Sequence, residues 1–299
     1  MSGVLWAVAS GVGFGLFQVF NRRAVRDLDV YVSTFLQLVV SVVVLGAVVA
    51  ATGELALLRG AGAGPIVEFG VAAFLHFFLG WTLLNASQKQ TGAARTTLLV
   101  ATVPVFGTIA AAIGLGEFPG WPVAAGVALT VTGVILVSGQ HPAIAGGGDR
   151  PARWWDVGLG LGAALCWAVS PIFARRGLEG LPSPLLGLTL GLGGTVVVYG
   201  VLLAVRRGAG VDHALRQPEA LGYKLLAGVL VALSQWARWV AIDLAPVAVV
   251  LALIQAVVPA VVLVLAPLVL GRHLERVTGR LWLGAGVITS GSLLLIFRP

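Results

Sequence analysis

An all-α membrane fold follows from three features of this sequence: its apolar composition, the length of its apolar runs, and an internal duplication. The expected architecture is ten transmembrane helices, arranged as two inverted five-helix repeats around a central cavity. Hydrophobic residues make up 58% of the chain and charged residues 10%, against roughly 25% charged in a soluble domain. With a mean hydropathy of +0.99, too few polar side chains remain to cover a water-facing surface. Lipid is the solvent that suits such an exterior. The net charge of +7 does not read as a nucleic-acid footprint. The Arg residues sit in short clusters between apolar runs, where basic charge marks topology.

A span needs about 20 mostly apolar residues to cross a hydrocarbon core roughly 30 Å thick. Runs of this kind lie near 3–20, 30–51, 66–87, 95–115 and 120–139. A second set lies near 157–174, 183–205, 221–242, 247–270 and 279–297. No basic region precedes the first run, so it reads as a span rather than a cleaved signal. Between the sets, residues 140–156 carry Gly146-Gly147-Gly148, Asp149, Arg150, Arg153 and Asp156, the longest polar stretch. The chain thus divides into a first repeat at 1–139, a linker at 140–156 and a second repeat at 157–299.

The duplication rests on landmarks that keep their spacing. Phe20-Asn21-Arg22-Arg23-Ala24 matches Phe173-Ala174-Arg175-Arg176-Gly177, and Trp81 matches Trp236. Val103-Pro104-Val105 aligns with Val258-Pro259-Ala260, and Thr132-Gly133 with Ser290-Gly291. A unit with an odd number of spans forces its second copy to enter the bilayer from the other side. Inverted repeats are characteristic of secondary transporters, which bind substrate near the midplane at the repeat interface. Lys and Arg favour loops 1–2, 3–4, 5–6, 7–8 and 9–10 over the other side by 14 to 4. The positive-inside rule then places both termini outside the cytoplasm of a cell membrane.

These residues resemble the EamA-like family of the drug/metabolite transporter superfamily, over nearly the whole chain. The resemblance is carried by Phe14-Gly15-Leu16 and Trp167-Ala168-Val169-Ser170-Pro171, each leading to an Arg pair. It is carried also by Pro104-Val105-Phe106 with Leu115-Gly116-Glu117, and by Pro259 with Leu270-Gly271. The second copy departs from the Gly-Glu pattern, with Arg272 in place of the Glu and Glu275 three residues on. The resemblance implies two inverted five-helix bundles with spans 1, 3, 4, 6, 8 and 9 near the path. It also implies movement of metabolites by alternating access, and a habit of cytoplasmic termini that opposes the charge count.

Candidate pathway residues are those whose chemistry is costly in lipid. Arg238, in Ser234-Gln235-Trp236-Ala237-Arg238-Trp239, is a mid-span cation that must face the bundle interior or water. Its guanidinium suits a carboxylate or phosphate, gripped bidentately; snorkelling, or pairing with Asp243 or Glu117, is the structural alternative. His76 is the other mid-span titratable group and the candidate for proton coupling, against a plain interhelical hydrogen bond. Gln18, Asn21, Gln37, Asn85, Gln235 and Gln255 are amides that must find partners across helices. Of these, Gln18, Gln235 and Gln255 join the expected substrate contacts. Phe14 and Trp167 are repeat-equivalent aromatics that would flank a flat substrate, with Ser170, Trp81 and Trp239 completing the set. Pro104 and Pro259 are expected to kink equivalent spans. Glycines such as Gly11, Gly13, Gly15, Gly187, Gly191 and Gly194 would allow close helix contact. Trp154 and Trp155 read as interfacial anchors, and Cys166, the single cysteine, as a small buried hydrophobe.

The expected function is secondary transport of a small metabolite, an amino acid or a related zwitterionic or anionic compound. No Gly-x-x-x-x-Gly-Lys-Ser/Thr motif is present to use ATP, which leaves a proton or a counter-substrate as the energy source. The expected partners are that small molecule and the lipid bilayer, with no nucleic acid. A lipid-carrier flippase or channel of the same fold is the alternative. An enzyme is not expected, since there is no His-Glu-x-x-His and no pair of intramembrane aspartates. No cofactor or metal is expected.

Overall fold

A Val-rich run such as Leu38-Val39-Val40-Ser41-Val42-Val43-Val44 is a mediocre helix former in water. In lipid its backbone has no other partner than itself, and a helix satisfies every N–H and C=O within the segment. Each long apolar run is accordingly helical. The computed structural model describes residues 2–107, 109, 121–138, 154–206, 210–245, 247–271 and 277–296. The principal helices of the first half are α1 (Ser2–Asp27), α2 (Val30–Thr52), α3 (Ala63–Thr91), α4 (Ala93–Gly107) and α5 (Trp121–Ser138). Those of the second half are α6 (Trp154–Gly180), α7 (Pro184–Val205), α8 (Pro218–Leu244), α9 (Val247–Val269) and α10 (Gly279–Ile296). Among the described residues there is no strand, and seven helices (α1, α2, α3, α6, α7, α8, α9) are long and apolar enough to cross a membrane. Most of the linker, Leu115-Gly116-Glu117, Arg272 and Glu275 lie outside the described residues.

Local chemistry sets the helix ends. Asp29 caps α2 by accepting from the N–H groups of Tyr31 (3.0 Å) and Val32 (3.2 Å), and Gly53, at φ +73°, closes its other end. Ser183 caps α7, accepting from Leu186 N at 3.0 Å, with Pro184 in the first turn. These arrangements satisfy donors and carbonyls that a helix end leaves open.

Two expectations about loops are corrected. α1 and α6 outrun their apolar stretches by about two turns, so the Arg22-Arg23 and Arg175-Arg176 pairs ride on helices rather than in loops. A helix does not stop where hydropathy falls; it stops where its backbone finds another partner. Arg22, Arg95 and Lys224, counted as loop charges, are buried. They report on packing rather than orientation. Pro259 lies inside α9, joined there by Pro267, and α6 contains Pro171. Pro104 instead follows a break at Ala101 and Thr102, where α4 is interrupted by a turn.

Side-chain contacts fix the helix directions. Phe17 faces Trp81 and Asn21 bonds Asn85 and Gln88, so α1 and α3 run parallel. Ser10 meets Ser234 and Asn21 meets Lys224, so α8 runs against α1. Gly80 meets Trp167 and Gly177 meets Phe69, so α6 runs against α3, and hence against α1. Two repeat-equivalent pairs also pack directly on each other in opposite directions. Asp29 at the start of α2 faces Arg206 beyond the end of α7, while Glu54, past the end of α2, bonds Ser183. In α5 and α10, Gly133 meets Ile288 and Thr130 meets Gly291.

One continuous apolar core joins α1, α2, α3, α4, α6, α7, α8 and α9. Glycine sets its spacing. A Cβ at Gly11 would lie 2.8 Å from Val257 Cβ, one at Gly15 2.6 Å from Val261 Cβ, and one at Gly13 3.2 Å from Ser234 Cβ. Gly194, by contrast, has nothing within 4 Å. Gly15→Leu is expected to cost about 1–3 kcal/mol or more, because the side chain overpacks the contact between the Gly15 backbone and the Val261 side chain. The midpoint of thermal unfolding in detergent measures it; Gly194→Leu, facing open space, is the control.

The register that aligns Trp81 with Trp236 also aligns Phe69 with Lys224. Phe69, fully buried, packs on α6 and α7, where a Cβ at Gly187 would lie 2.6 Å from its ring. Lys224, also fully buried, packs on α1 and α2, where it bonds Asn21 and Gln37. The two ends of the bundle are therefore sealed differently, one by an aromatic plug and one by polar hydrogen bonds.

Candidate functional site

The centre of α3 departs from α-helical geometry. Phe74–Gly80 forms a π-helical segment, an arrangement that frequently marks functional sites. Gly80 closes it without a side chain, and the indole of Trp167 from α6 occupies that space; a Cβ there would lie 2.7 Å from Trp167 Cδ1. Trp167 Nε1 donates to the carbonyl of His76 at 3.1 Å, and its ring stacks on the imidazole at 5.1 Å between centroids and 18° between planes. Helix α3 and α6 thus fix His76 between them.

His76 Nδ1 faces Ser170 Oγ at 3.0 Å and Arg238 Nη1 at 3.5 Å. A guanidinium has only donors, which assigns Nδ1 as the acceptor and puts the imidazole proton on Nε2. That atom is buried and has no partner among the described residues. Arg238 is 6% exposed and forms no ion pair with any described residue. Asp243 is exposed near the end of α8, and Glu117 lies outside the described residues. Arg238 does not reach for the end of its helix; it meets His76.

These groups open on a small cavity. Ser10 and Phe14 of α1, His76 of α3, Val103 of α4 and Trp167 of α6 form one part of its wall. Gln235 and Arg238 of α8 with Leu251, Ile254 and Gln255 of α9 form the rest. The contributing helices are the six that the resemblance puts near a path.

Six of the ten candidate substrate contacts line this cavity: Phe14, His76, Trp167, Gln235, Arg238 and Gln255. Ser170 stands behind His76. Three sit elsewhere. Gln18 accepts from Gln88 and Thr97, at 2.8 Å each, within the polar seal. Trp81 is fully buried against Phe17 and Phe77, and Trp239 packs on Phe69. Phe14 and Trp167 do not flank an open slot; their rings touch edge to face at 5.3 Å and build a single wall. Sequence reasoning missed Ser10, Val103, Leu251 and Ile254. A helical signal for two of them was present, since Ser10 precedes Phe14, and Leu251 precedes Gln255, by one turn on the same face.

The chemistry is that of recognition. A guanidinium, with an imidazole nitrogen against it, stands beside an aromatic and aliphatic wall, and Gln235 Oε1 is a buried acceptor with no partner among the described residues. Donors of this kind fit an oxyanion, the wall fits an apolar group, and the amide oxygen fits an ammonium. Among the described residues no cluster of His, Cys, Asp and Glu could hold a metal ion.

The sequence profile of the EamA-like transporter family matches residues 1–139 and 154–297, one match on each side of the linker. No curated protein matches the chain. Fifteen chains of solved structures do. One of them, a crystal structure described only as that of a protein, has a TM-score of 0.60 and 15% identity over 96% of this chain and 95% of that chain. That likeness concerns the fold alone.

Proposed function

The chain belongs to the EamA-like transporter family of the drug/metabolite transporter superfamily, and from that premise we propose a secondary carrier for small anionic or zwitterionic metabolites, amino acids among them. It is a multi-pass membrane protein. In this reading the ten helices α1–α10 span the bilayer as two inverted five-helix units, at 1–139 and 157–299, joined by the linker. The opposed directions of α2 and α7, of α5 and α10, and of α1 and α6 support the inversion. The cavity between the units opens alternately to either side, and its contents move without chemical change.

One observation carries the substrate class: Arg238, a buried cation at the cavity wall with no carboxylate partner among the described residues. A charge in a span is retained where it faces a cavity and serves a path. The substrate carboxylate takes the place of the missing counter-ion. His76 orients the guanidinium through Nδ1 and offers Nε2–H as a second donor. An apolar or aromatic substrate group lies against Phe14, Trp167, Leu251 and Ile254, and an ammonium meets Gln235 or Gln255. Gln18, Trp81 and Trp239 belong to the seals on either side of this pocket.

Uptake by purified protein reconstituted in lipid vesicles tests the reading. A panel of radiolabelled amino acids and organic anions is expected to include one that enters saturably and exchanges against unlabelled compound inside. Flux at channel rates, chemical conversion, or translocation of lipid carriers without any soluble flux would overturn it. Single cysteines at Arg26 and Arg175, both exposed, should react from opposite faces of the membrane in a Cys166→Ala background. Reaction from one face would end the inverted arrangement.

A further inference from the structure

A lysine side chain with no exposed surface stands at the end of the bundle away from the aromatic plug. Lys224 Nζ donates to Asn21 Oδ1 and to Gln37 Oε1, the latter at 2.6 Å. Both acceptors are neutral amides, and no carboxylate among the described residues approaches it within ion-pair distance.

Gln37 accepts from Lys224 while its Nε2 has no partner among the described residues, and the amides on the Asn21 side are oriented by a chain of bonds. Asn21 Nδ2 donates to Asn85 Oδ1 at 2.7 Å and to Gln88 Oε1 at 2.6 Å. Asn85 Nδ2 donates onward to Thr34 Oγ1 at 2.7 Å, and Gln88 Nε2 to Gln18 Oε1 at 2.8 Å. With Asn21 turned to donate twice, its oxygen remains for Lys224. The network therefore presents two acceptors to Nζ. A neutral amine has two N–H bonds and matches that number; an ammonium has three. The third finds no acceptor among the described residues, and an unpaired buried charge is costly.

Several charged groups on the elements around this cage are engaged elsewhere. Arg22 of α1 donates to the carbonyls of Gln88 and Lys89. Arg23 pairs with Asp27 at 3.0 Å and with Glu219 of α8 at 2.7 Å, over the ring of Tyr223. Asp29 of α2 faces Arg206 at the end of α7, which lies over Tyr31. Lys89 of α3 donates to Leu28 O at 2.7 Å, and His213, in the short helix Val211–Leu215, faces Asp27 O at 3.1 Å. Of the charged residues of α6, Arg175, Arg176 and Glu179 lie at the plugged end and Asp156 in its first turn at the other end, and α9 has none.

We propose that Lys224 is a proton-binding site that operates this end of the bundle: Nζ takes a proton from water when α8 parts from α1 and α2, and returns it to water before they close. The closed cage holds the two-donor amine. The opened cage, with water supplying the third acceptor, holds the ammonium. Closure at this end is thereby tied to the pH of the compartment it faces. This assigns proton coupling to Lys224, where the sequence offered His76, and it rests on the carrier reading, which supplies the opening motion.

Spin labels on exposed cysteines at Gln90, at the end of α3, and Leu215, just before α8, report that motion. The background is Cys166→Ala, the protein is in lipid vesicles, and the same buffer bathes both sides. Distances measured by double electron–electron resonance are expected to lengthen on passing from alkaline to acidic buffer. In Lys224→Met they should stay short in every buffer, and in Lys224→Arg, which keeps its charge, long in every buffer. Should Lys224→Met not fold, Lys224→Gln retains the hydrogen bonds without an exchangeable charge and is read in the same way. A wild-type distance that ignores pH, or a Lys224→Met distance that follows pH as the wild type does, overturns the proposal. Either result leaves the carrier reading standing, because that reading fails only on vesicle flux.

Discussion

Replacing Arg238 by alanine is expected to abolish ligand-induced thermal stabilisation while leaving the protein folded. The side chain lies at a cavity wall, so its removal leaves room for water and strands no buried carboxylate among the described residues. Truncating one member of a buried charged pair costs about 2–5 kcal/mol of binding, a loss of roughly 30- to several-thousand-fold in affinity. Stabilisation scales with the logarithm of ligand concentration over Kd, so a loss of that size removes the signal at ordinary concentrations. Arg238→Lys keeps the charge but not the planar fork and should retain a weakened response. A thermal-shift screen of amino acids, organic anions and cationic drugs measures all three proteins. Undiminished stabilisation of Arg238→Ala by a carboxylate would remove the anchor and the substrate class with it.

Asn21→Leu is expected to be the more damaging change to stability. Asn21 is the node of the polar seal and serves Lys224 Nζ, Asn85 Oδ1 and Gln88 Oε1 together. Each buried group left without a partner costs about 1–3 kcal/mol. The loss should therefore reach about 3 kcal/mol or more, read as a large fall in the unfolding midpoint in detergent. The double variant Asn21→Leu with Lys224→Met should recover part of it, since removing both members of a buried polar pair costs less than removing one. Additive losses in the double variant would mean that the two side chains do not act through their shared contact.

The helices were legible because lipid allows a spanning backbone few alternatives, so run length carried nearly all the information. Their ends were less legible. Nothing in the hydropathy of residues 20–27 says that α1 continues, because its last turns are held by Arg22 on the carbonyls of Gln88 and Lys89 and by Arg23 on Asp27 and Glu219. Lys224 was read as a loop charge for the same reason: a lysine near the start of a span usually marks the interface. What makes it an interior residue is a set of amides at positions 21, 37, 85 and 88. The sequence marks each as needing a partner but does not say that they meet.

Within the site, Arg238 and His76 were legible from the cost of placing them in a span, and Phe14 with Trp167 from the repeat. Gln18, Trp81 and Trp239 were misplaced because residue type says that a side chain is buried, not which helix face it shares. The π-helical turn at Phe74–Gly80 adds to that difficulty, because it changes the faces of α3 without any sequence mark that hydropathy would detect.

Phe69 and Lys224 hold the same position in the two halves, so neither half can stand in for the other. Two copies of the first would meet with a dry stopper at each end and no ammonium between them. Two copies of the second would strand a lysine against Ala174, the counterpart of Asn21. Kinship of shape has outlasted kinship of chemistry, and the molecule therefore has a distinguishable front and back.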